Sequence, residues 1–136
     1  MGPLHPVIYV ENNVGQGFVR AFNEFSRNHG WGAVFQHHLH PGMQRAQHGD
    51  VWWIRQIAGL GYVLLTCDMA IVNNEDERQA VIDSGLRYVG FASANYDGWT
   101  QMRVVTNYWD RLSPELDGAP PVIIRASIAH IEVERP

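Results

Sequence analysis

The sequence predicts a three-layer α/β/α domain with a mainly parallel central sheet. Short runs of apolar and β-branched residues alternate with longer segments of helical periodicity, and glycines or capping residues separate the two kinds of segment. The chain has 136 residues, of which 46% are hydrophobic, so it is long enough to bury one core. Because we find no internal repeat, low-complexity tract or linker, we expect a single domain.

The apolar runs give the predicted strands. They are Val7–Val10, Ala33–Gln36, Val63–Thr66, Leu86–Phe91 and Val122–Ile128. Ile131 and Val133 are out of phase with the last run, which predicts a bulge or a tight hairpin near Ala129 and His130.

Four segments between the strands are predicted helices, at about 16–28, 50–58, 74–84 and 99–112. Asp50 is placed to cap the second helix, and Asn74 with Glu77 forms a pattern like a capping box for the third. The residues from His37 to about Gly49 read as a loop, as do 92–98, and Ser113–Pro114 is expected to break the chain. The predicted buried faces of the second and fourth helices consist of Trp53, Ile54 and Ile57, and of Met102, Val105, Trp109 and Leu112.

The charge and the amino-terminal residues limit the class of protein. The net charge of -4 argues against a protein that coats nucleic acid non-specifically, although all ten basic residues are arginines, which suit bidentate phosphate contacts. No apolar run is long enough to span a membrane, and the first residues lack the features of a signal peptide. Together with a single cysteine, Cys67, these features predict a soluble, cytoplasmic protein.

Three acidic residues are the candidates for chemistry. Glu11 and Asp68 follow predicted strands, and Asp50 begins a predicted helix. Right-handed crossovers would bring the ends of the parallel strands to one edge of the sheet, where ligands bind in such folds. Carboxylates with open positions suit Mg²⁺ or Mn²⁺, which can activate water for phosphodiester hydrolysis. Each acid also has an ordinary explanation, as a helix cap, a turn residue or a solvated loop residue.

Six segments of the chain form a recognisable pattern, namely Ile8–Val14, Asp50–Ile54, Val63–Asp68, Glu77–Arg87, Ser93–Asn95 and Pro120–Ala126. Taken together in this order, they resemble the PIN-like domain family and are most similar to the small VapC-type toxins of bacterial toxin–antitoxin pairs. The resemblance implies one PIN-like domain over residues 1–136 that acts as a metal-dependent endoribonuclease. It also implies a cognate antitoxin as a partner, and it leaves a homodimer open.

The resemblance assigns roles to particular residues. Glu11, Asp50 and Asp68 would be the catalytic residues and would bind Mg²⁺ or Mn²⁺. The candidate contacts to the RNA substrate are Asn95, Arg78, Arg45 and Arg55. Asn95 could equally be a turn residue, and Arg78 could instead pair with Glu75 one helical turn away.

Two departures from the family pattern support an alternative function. Glu11 stands where the family usually has Asp, and Cys67 stands where it usually has Lys. The alternative is a PIN-like module with weakened catalysis that binds RNA or protein. A zinc site at His37, His38 and His40, with His48 and Asp50 later in the chain, is a more remote interpretation, since His37 and His38 on a strand would point to opposite faces. A phosphotransfer receiver is also remote, since no second acid adjoins Asp68 and the chain lacks lysine.

Overall fold

The computed structural model describes residues 5–11, 13–35, 42–67, 69 and 73–136, and for residues 42–48 and 50 it describes the backbone alone. The residues His37, His38 and His40 of the zinc hypothesis lie outside the described residues, and so does Asp68. The same holds for the side chains of Arg45 and Asp50.

The sheet has six strands in the order β2-β1-β3-β4-β5-β6. The strands are β1 (Ile8–Val10), β2 (Ala33–Phe35), β3 (Val63–Thr66), β4 (Arg87–Phe91), β5 (Val122–Ala126) and β6 (Ile131–Glu134). The first five are parallel, and β6 runs antiparallel to β5, with Ala126 opposite Ile131. The mainly parallel sheet and the hairpin near residues 129 and 130 are therefore confirmed.

Helices cover both faces of the sheet. They are α1 (Gln16–Ser26), which continues into a 3₁₀ turn at Arg27–His29, and α2 (Gly42–Gly59), α3 (Glu75–Ser84), α4 (Gly98–Asn107) and α5 (Trp109–Asp117). On one face Phe18 of α1, Val105 of α4 and Leu112 of α5 share an apolar cluster with Val10 and Leu65. The three-layer α/β/α architecture follows from a second cluster on the other face.

The second cluster explains why the central strands are apolar throughout. Trp53 of α2 and Val81 of α3 pack in it with Tyr9 and Leu64, and all four are fully buried. Successive strand residues point to opposite faces, so a parallel strand covered by helices on both sides has no solvent-facing position. No helix in the described part of the chain combines the length and apolar character needed to cross a membrane.

The segment before Asp50 differs from the prediction. Residues 42–48 are helical, not a loop, and Gly49 interrupts α2 with φ 80° and ψ 174°. Gln, Arg and Ala in this segment favour the helix, whereas its His and Gly residues suggested a loop. The predicted helix from Asp50 corresponds to the part of α2 after Gly49, and Trp53, Ile54 and Ile57 are buried there as expected.

The segment around Tyr108 and Pro114 also differs from the prediction. The predicted single helix over residues 99–112 is divided at Tyr108, where φ is -112° and ψ is 12°. Pro114 lies inside α5, so the expected break at Ser113–Pro114 was wrong. Proline forfeits one helical hydrogen bond, but burial of Leu112 and Leu116 on the same face stabilises the helix beyond it.

The capping pattern at the start of α3 is confirmed. The Glu77 N–H donates to the side-chain oxygen of Asn74 at 3.1 Å, and Gly85 ends the helix with a φ of 73°. The start and the end of α3 are therefore fixed by its own capping residues.

Candidate active site at the carboxyl ends of β1 and β3

The chain order of the strands creates a crevice between β1 and β3. β1 is followed by β2 on one side and β3 is followed by β4 on the other, so the chain leaves the carboxyl ends of β1 and β3 in opposite directions. In open α/β sheets, this arrangement opens a crevice at the carboxyl ends of the two strands. Glu11 lies directly there, and its N–H donates to the Leu65 carbonyl oxygen at 3.0 Å.

The Glu11 carboxylate is buried beside the end of β3. Glu11 is only 3% exposed, and the Thr66 hydroxyl donates a hydrogen bond to its Oε2. The side-chain amide of Asn13 donates to the same oxygen at 3.4 Å. Because burying a carboxylate without donors is very unfavourable, these contacts stabilise Glu11 in this position.

Asn13 ties the loop after β1 to the end of β3. Its Nδ2 donates to Thr66 Oγ1 at 3.2 Å, and its Oδ1 accepts from the Cys67 N–H at 3.1 Å. Asp68 is the next residue along the chain. The loop after β1 therefore fixes the backbone of Cys67, which follows β3 and precedes the third predicted acid in the sequence.

Cys67 is buried next to this group. Its burial raises the pKa of the thiol, a hydrogen bond from the Gln101 amide partly offsets this, and the Glu11 carboxylate raises the pKa further. Gln101 Nε2 lies 3.1 Å from Cys67 Sγ. The thiol is therefore neutral at physiological pH and fills the role of a packing residue instead of a nucleophile.

The candidate substrate contacts lie at different distances from this crevice along the sheet. Asn95 is exposed in the loop after β4, and its N–H donates to Ser93 Oγ at 3.1 Å, which makes it part of a turn. That loop leaves the same edge of the sheet, where the Ala92 N–H donates to the Ala126 carbonyl oxygen. Asn95 therefore lies at the same carboxyl edge of the sheet as Glu11.

The arginines are not gathered around Glu11 in the described part of the chain. Arg78 on α3 forms an ion pair with Glu134 on β6, instead of the pairing with Glu75 that the helical spacing suggested. β3, β4 and β5 lie between β1 and β6 in the sheet. Arg55 is exposed on α2. Contacts of these arginines with RNA stay a prediction.

The donor atoms around Glu11 fit a hard divalent cation in kind. The described side chains at the crevice supply the carboxylate of Glu11, the amide oxygen of Asn13 and the hydroxyl of Thr66, and oxygen donors of this sort suit Mg²⁺ or Mn²⁺. Among the described residues no group of three His, Cys, Asp or Glu side chains is placed to hold a metal ion. The set of Glu11, Asp50 and Asp68 stays a prediction, since Asp68 and the side chain of Asp50 lie outside the described residues.

Two residues that organise this region were not predicted from the sequence. Asn13 was not singled out, although a side-chain amide three positions after a strand end is well placed to bond a neighbouring strand. Gln101 was not identified at all. It lies three and four residues before the buried Val104 and Val105, so its position on an apolar face was a usable signal.

Comparison with known proteins identifies the family. A family model described as "PIN like domain" matches residues 6–93, which is more than half of the chain. The chain therefore belongs to the PIN-like domain family. PIN domains are generally nucleases, and the chain carries a nuclease-type module. No curated protein and no solved structure showed significant similarity to it.

Proposed function

We propose that this protein is a cytoplasmic, metal-dependent endoribonuclease, closest in kind to the VapC-type toxins of type II toxin–antitoxin pairs. The observation that carries the proposal is the buried Glu11 carboxylate in the crevice between β1 and β3, inside the segment that matches the PIN-like family. A buried acid with fixed donors is costly for folding, and such residues concentrate at functional sites.

In this proposal Glu11, Asp50 and Asp68 hold Mg²⁺ or Mn²⁺. The cation supplies an activated water and offsets negative charge at the RNA phosphodiester. Thr66 and Asn13 hold the Glu11 carboxylate in one rotamer, which lowers the cost of ordering it when the cation binds.

RNA would lie along the carboxyl edge of the sheet. Asn95 is exposed on that edge, and Trp99, at 75% exposure, follows it in the first turn of α4. Exposed aromatic rings stack on unpaired bases without regard to sequence. Arg45, Arg55 and Arg78 are the proposed contacts to the phosphate backbone, where arginine forms paired hydrogen bonds.

The test is cleavage of RNA by the pure protein during a titration with Mn²⁺ or Mg²⁺. We expect cleavage that depends on the metal and that is lost in Asp68→Ala. Asp83→Ala is the matched control, because Asp83 is an exposed acid on α3 that bonds only Gln79 in the described structure. Equal cleavage by wild type and Asp68→Ala, or none by wild type at any metal concentration, would reject the enzyme.

The toxin role needs a separate experiment in cells. Induced expression should arrest growth, Asp68→Ala should relieve the arrest, and a small protein encoded beside this chain should neutralise the wild type. Arrest of equal strength by Asp68→Ala would reject toxicity by RNA cleavage.

A second candidate is a PIN-like module that binds RNA or protein with little catalysis. Cys67 supports it, because this position carries a buried neutral thiol and adds no positive charge beside Asp68. This candidate expects RNA binding without cleavage and equal binding by wild type and Asp68→Ala. The metal titration described above separates the two functions.

A further inference from the structure

Gln101 bridges two segments that border the proposed site. It lies on the buried face of α4 with 1% exposure. Its Nε2 donates to Cys67 Sγ at 3.1 Å and to the Tyr96 carbonyl oxygen at 3.0 Å. Because a carbonyl oxygen only accepts, the nitrogen of the amide must face Tyr96, which fixes the orientation of the side chain.

The other half of this amide has no partner. Gln101 Oε1 is buried and accepts no hydrogen bond in the described part of the chain. A buried acceptor without a donor lowers stability, whereas an apolar side chain of the same length would avoid that cost. The neighbouring Val104 and Val105 are buried and apolar, so packing alone favours an apolar residue here. The unpaired oxygen offsets what the two hydrogen bonds of Nε2 contribute, so stability of the fold gives glutamine little advantage at this position.

We propose that Gln101 is a positioning residue of the nuclease site, which fastens Cys67, the residue before Asp68 in the sequence, to the loop that carries Asn95. This inference rests on the proposed function. Gln101 acts through Cys67, and no contact of its own with a reacting group is required. The Cys67 N–H is bonded to Asn13 and its Sγ to Gln101, so this residue is held by the loop after β1 and by the helix after β4.

The connection through Gln101 joins two groups of residues, one at Cys67 and one at Tyr96. At one end, Asn13 connects Cys67 to Thr66 and Glu11. At the other end, Tyr96 lies one residue after Asn95, and its hydroxyl accepts from the Ile128 N–H at 3.3 Å. Loss of the Gln101 amide would free the end of β3 and the loop after β4 from each other while the apolar core stays intact.

The test is Gln101→Met, which keeps the length of the side chain and removes the amide. We expect an unchanged or higher melting temperature, together with faster amide hydrogen exchange in segments 63–67 and 92–97. We also expect Mn²⁺ to bind about tenfold more weakly, as is typical when an outer partner of a metal ligand is removed. Gln56→Met is the control, because Gln56 is exposed on α2 and should leave all three quantities unchanged.

Cys67→Ala tests the same link from its other end and removes the acceptor in place of the donor. If Gln101 acts through Cys67, the double variant that carries Cys67→Ala and Gln101→Met should have the same Mn²⁺ affinity as the single variant with the lower Mn²⁺ affinity. Additive losses would reject the route through Cys67. This second variant also decides the proposal if Gln101→Met does not fold.

The hydrogen-exchange measurement separates this inference from the proposed function. Unchanged exchange in both segments would overturn the fastening, whether or not the protein cleaves RNA. Faster exchange with unchanged Mn²⁺ affinity would overturn its connection to the metal site. If wild type binds no Mn²⁺, the proposed function fails and the positioning role at a metal site is rejected with it.

Discussion

The carboxyl ends of β1 and β3 and the outer edge of the sheet at β6 use polar residues in opposite ways. At the first place Glu11, Thr66 and Gln101 are buried, with exposed fractions of 3%, 0% and 1%. At the second place the charged residues stay largely in solvent and form ion pairs across the surface. These pairs are Arg78–Glu134 and Arg135–Glu115, and His130 Nε2 lies within hydrogen-bonding distance of Glu132 Oε1 at 2.9 Å.

The two regions differ in what their polar contacts cost. Exposed ion pairs gain little because water and salt screen them, and they are easily replaced. A buried carboxylate and a buried amide lose their hydration, and a folded chain retains them only with fixed partners. The difference indicates that the side-chain ion pairs at β6 are interchangeable surface contacts, whereas the crevice at Glu11 is built around particular atoms.

The largest expected effect comes from neutralising one acid in each region. Glu11→Gln should lower metal-dependent RNA cleavage by about 100-fold or more, because it removes a charged ligand from the metal. The glutamine oxygen can still accept from Thr66, so the fold should persist. Initial rates of RNA cleavage at saturating Mn²⁺ provide the measurement.

Glu134→Gln is the control for this comparison. It neutralises the exposed partner of Arg78 and should leave cleavage unchanged. Similar rates for the two variants would show that the buried acid is no more important than a surface acid.

Removal of a buried hydroxyl and of an exposed hydroxyl should give a smaller difference, in the free energy of unfolding. Thr66→Val keeps the shape of the side chain and leaves the buried Glu11 carboxylate without its closest donor. We expect a loss of about 1 to 3 kcal/mol in the free energy of unfolding. Thr106→Val, whose exposed hydroxyl only bonds the α4 backbone, should cost no more than about 0.5 kcal/mol. Urea denaturation of both variants measures the difference, and equal losses would contradict it.

The Cys67 thiol should add a modest dependence of stability on alkaline pH. Its folded pKa is raised above the ordinary value of 9.0, chiefly by burial, so the folded state favours the neutral thiol. The resulting stability is present below about pH 9 and is lost as the pH rises through the folded pKa. Cys67→Ser should lack this loss when unfolding is compared at pH 8 and pH 10. An identical decline in wild type and Cys67→Ser would assign the loss to other groups.

The surface pair should give the smallest effect. The coupling free energy between Arg78 and Glu134, from a double-mutant cycle with Arg78→Gln and Glu134→Gln, should lie between about 0 and 1 kcal/mol. If Arg78 also contacts RNA, Arg78→Gln should raise the KM for RNA while Glu134→Gln should not. An equal KM for wild type and Arg78→Gln would remove Arg78 from the substrate contacts.

The fold could be predicted from the sequence largely because its signals are local. The apolar run of β3 and the Asn74 cap with Gly85 at the end of α3 are each determined by neighbouring residues, and they appear where expected. The errors lie where packing outweighs local preference. Pro114 continues a helix because Leu116 is buried, and the residues before Gly49 form a helix despite their loop-like composition.

The candidate site was only partly predictable for a related reason. Glu11 could be placed at a strand end by its position after an apolar run. Its partner Thr66 lies 55 residues away in the sequence, and Gln101 lies 34 residues from its partner Cys67. No local pattern encodes such pairs, because they form only when segments that are distant in the sequence pack together in the fold. The pairing of Arg78 with Glu134 was missed for the same reason.

The central claim is that the buried Glu11 carboxylate is a metal ligand, and calorimetric titration with Mn²⁺ tests it most directly. We predict saturable binding by wild type and by Glu134→Gln, with an affinity at least tenfold lower in Glu11→Gln. Equal Mn²⁺ affinity in wild type and Glu11→Gln, or no binding by the wild type, would contradict the claim.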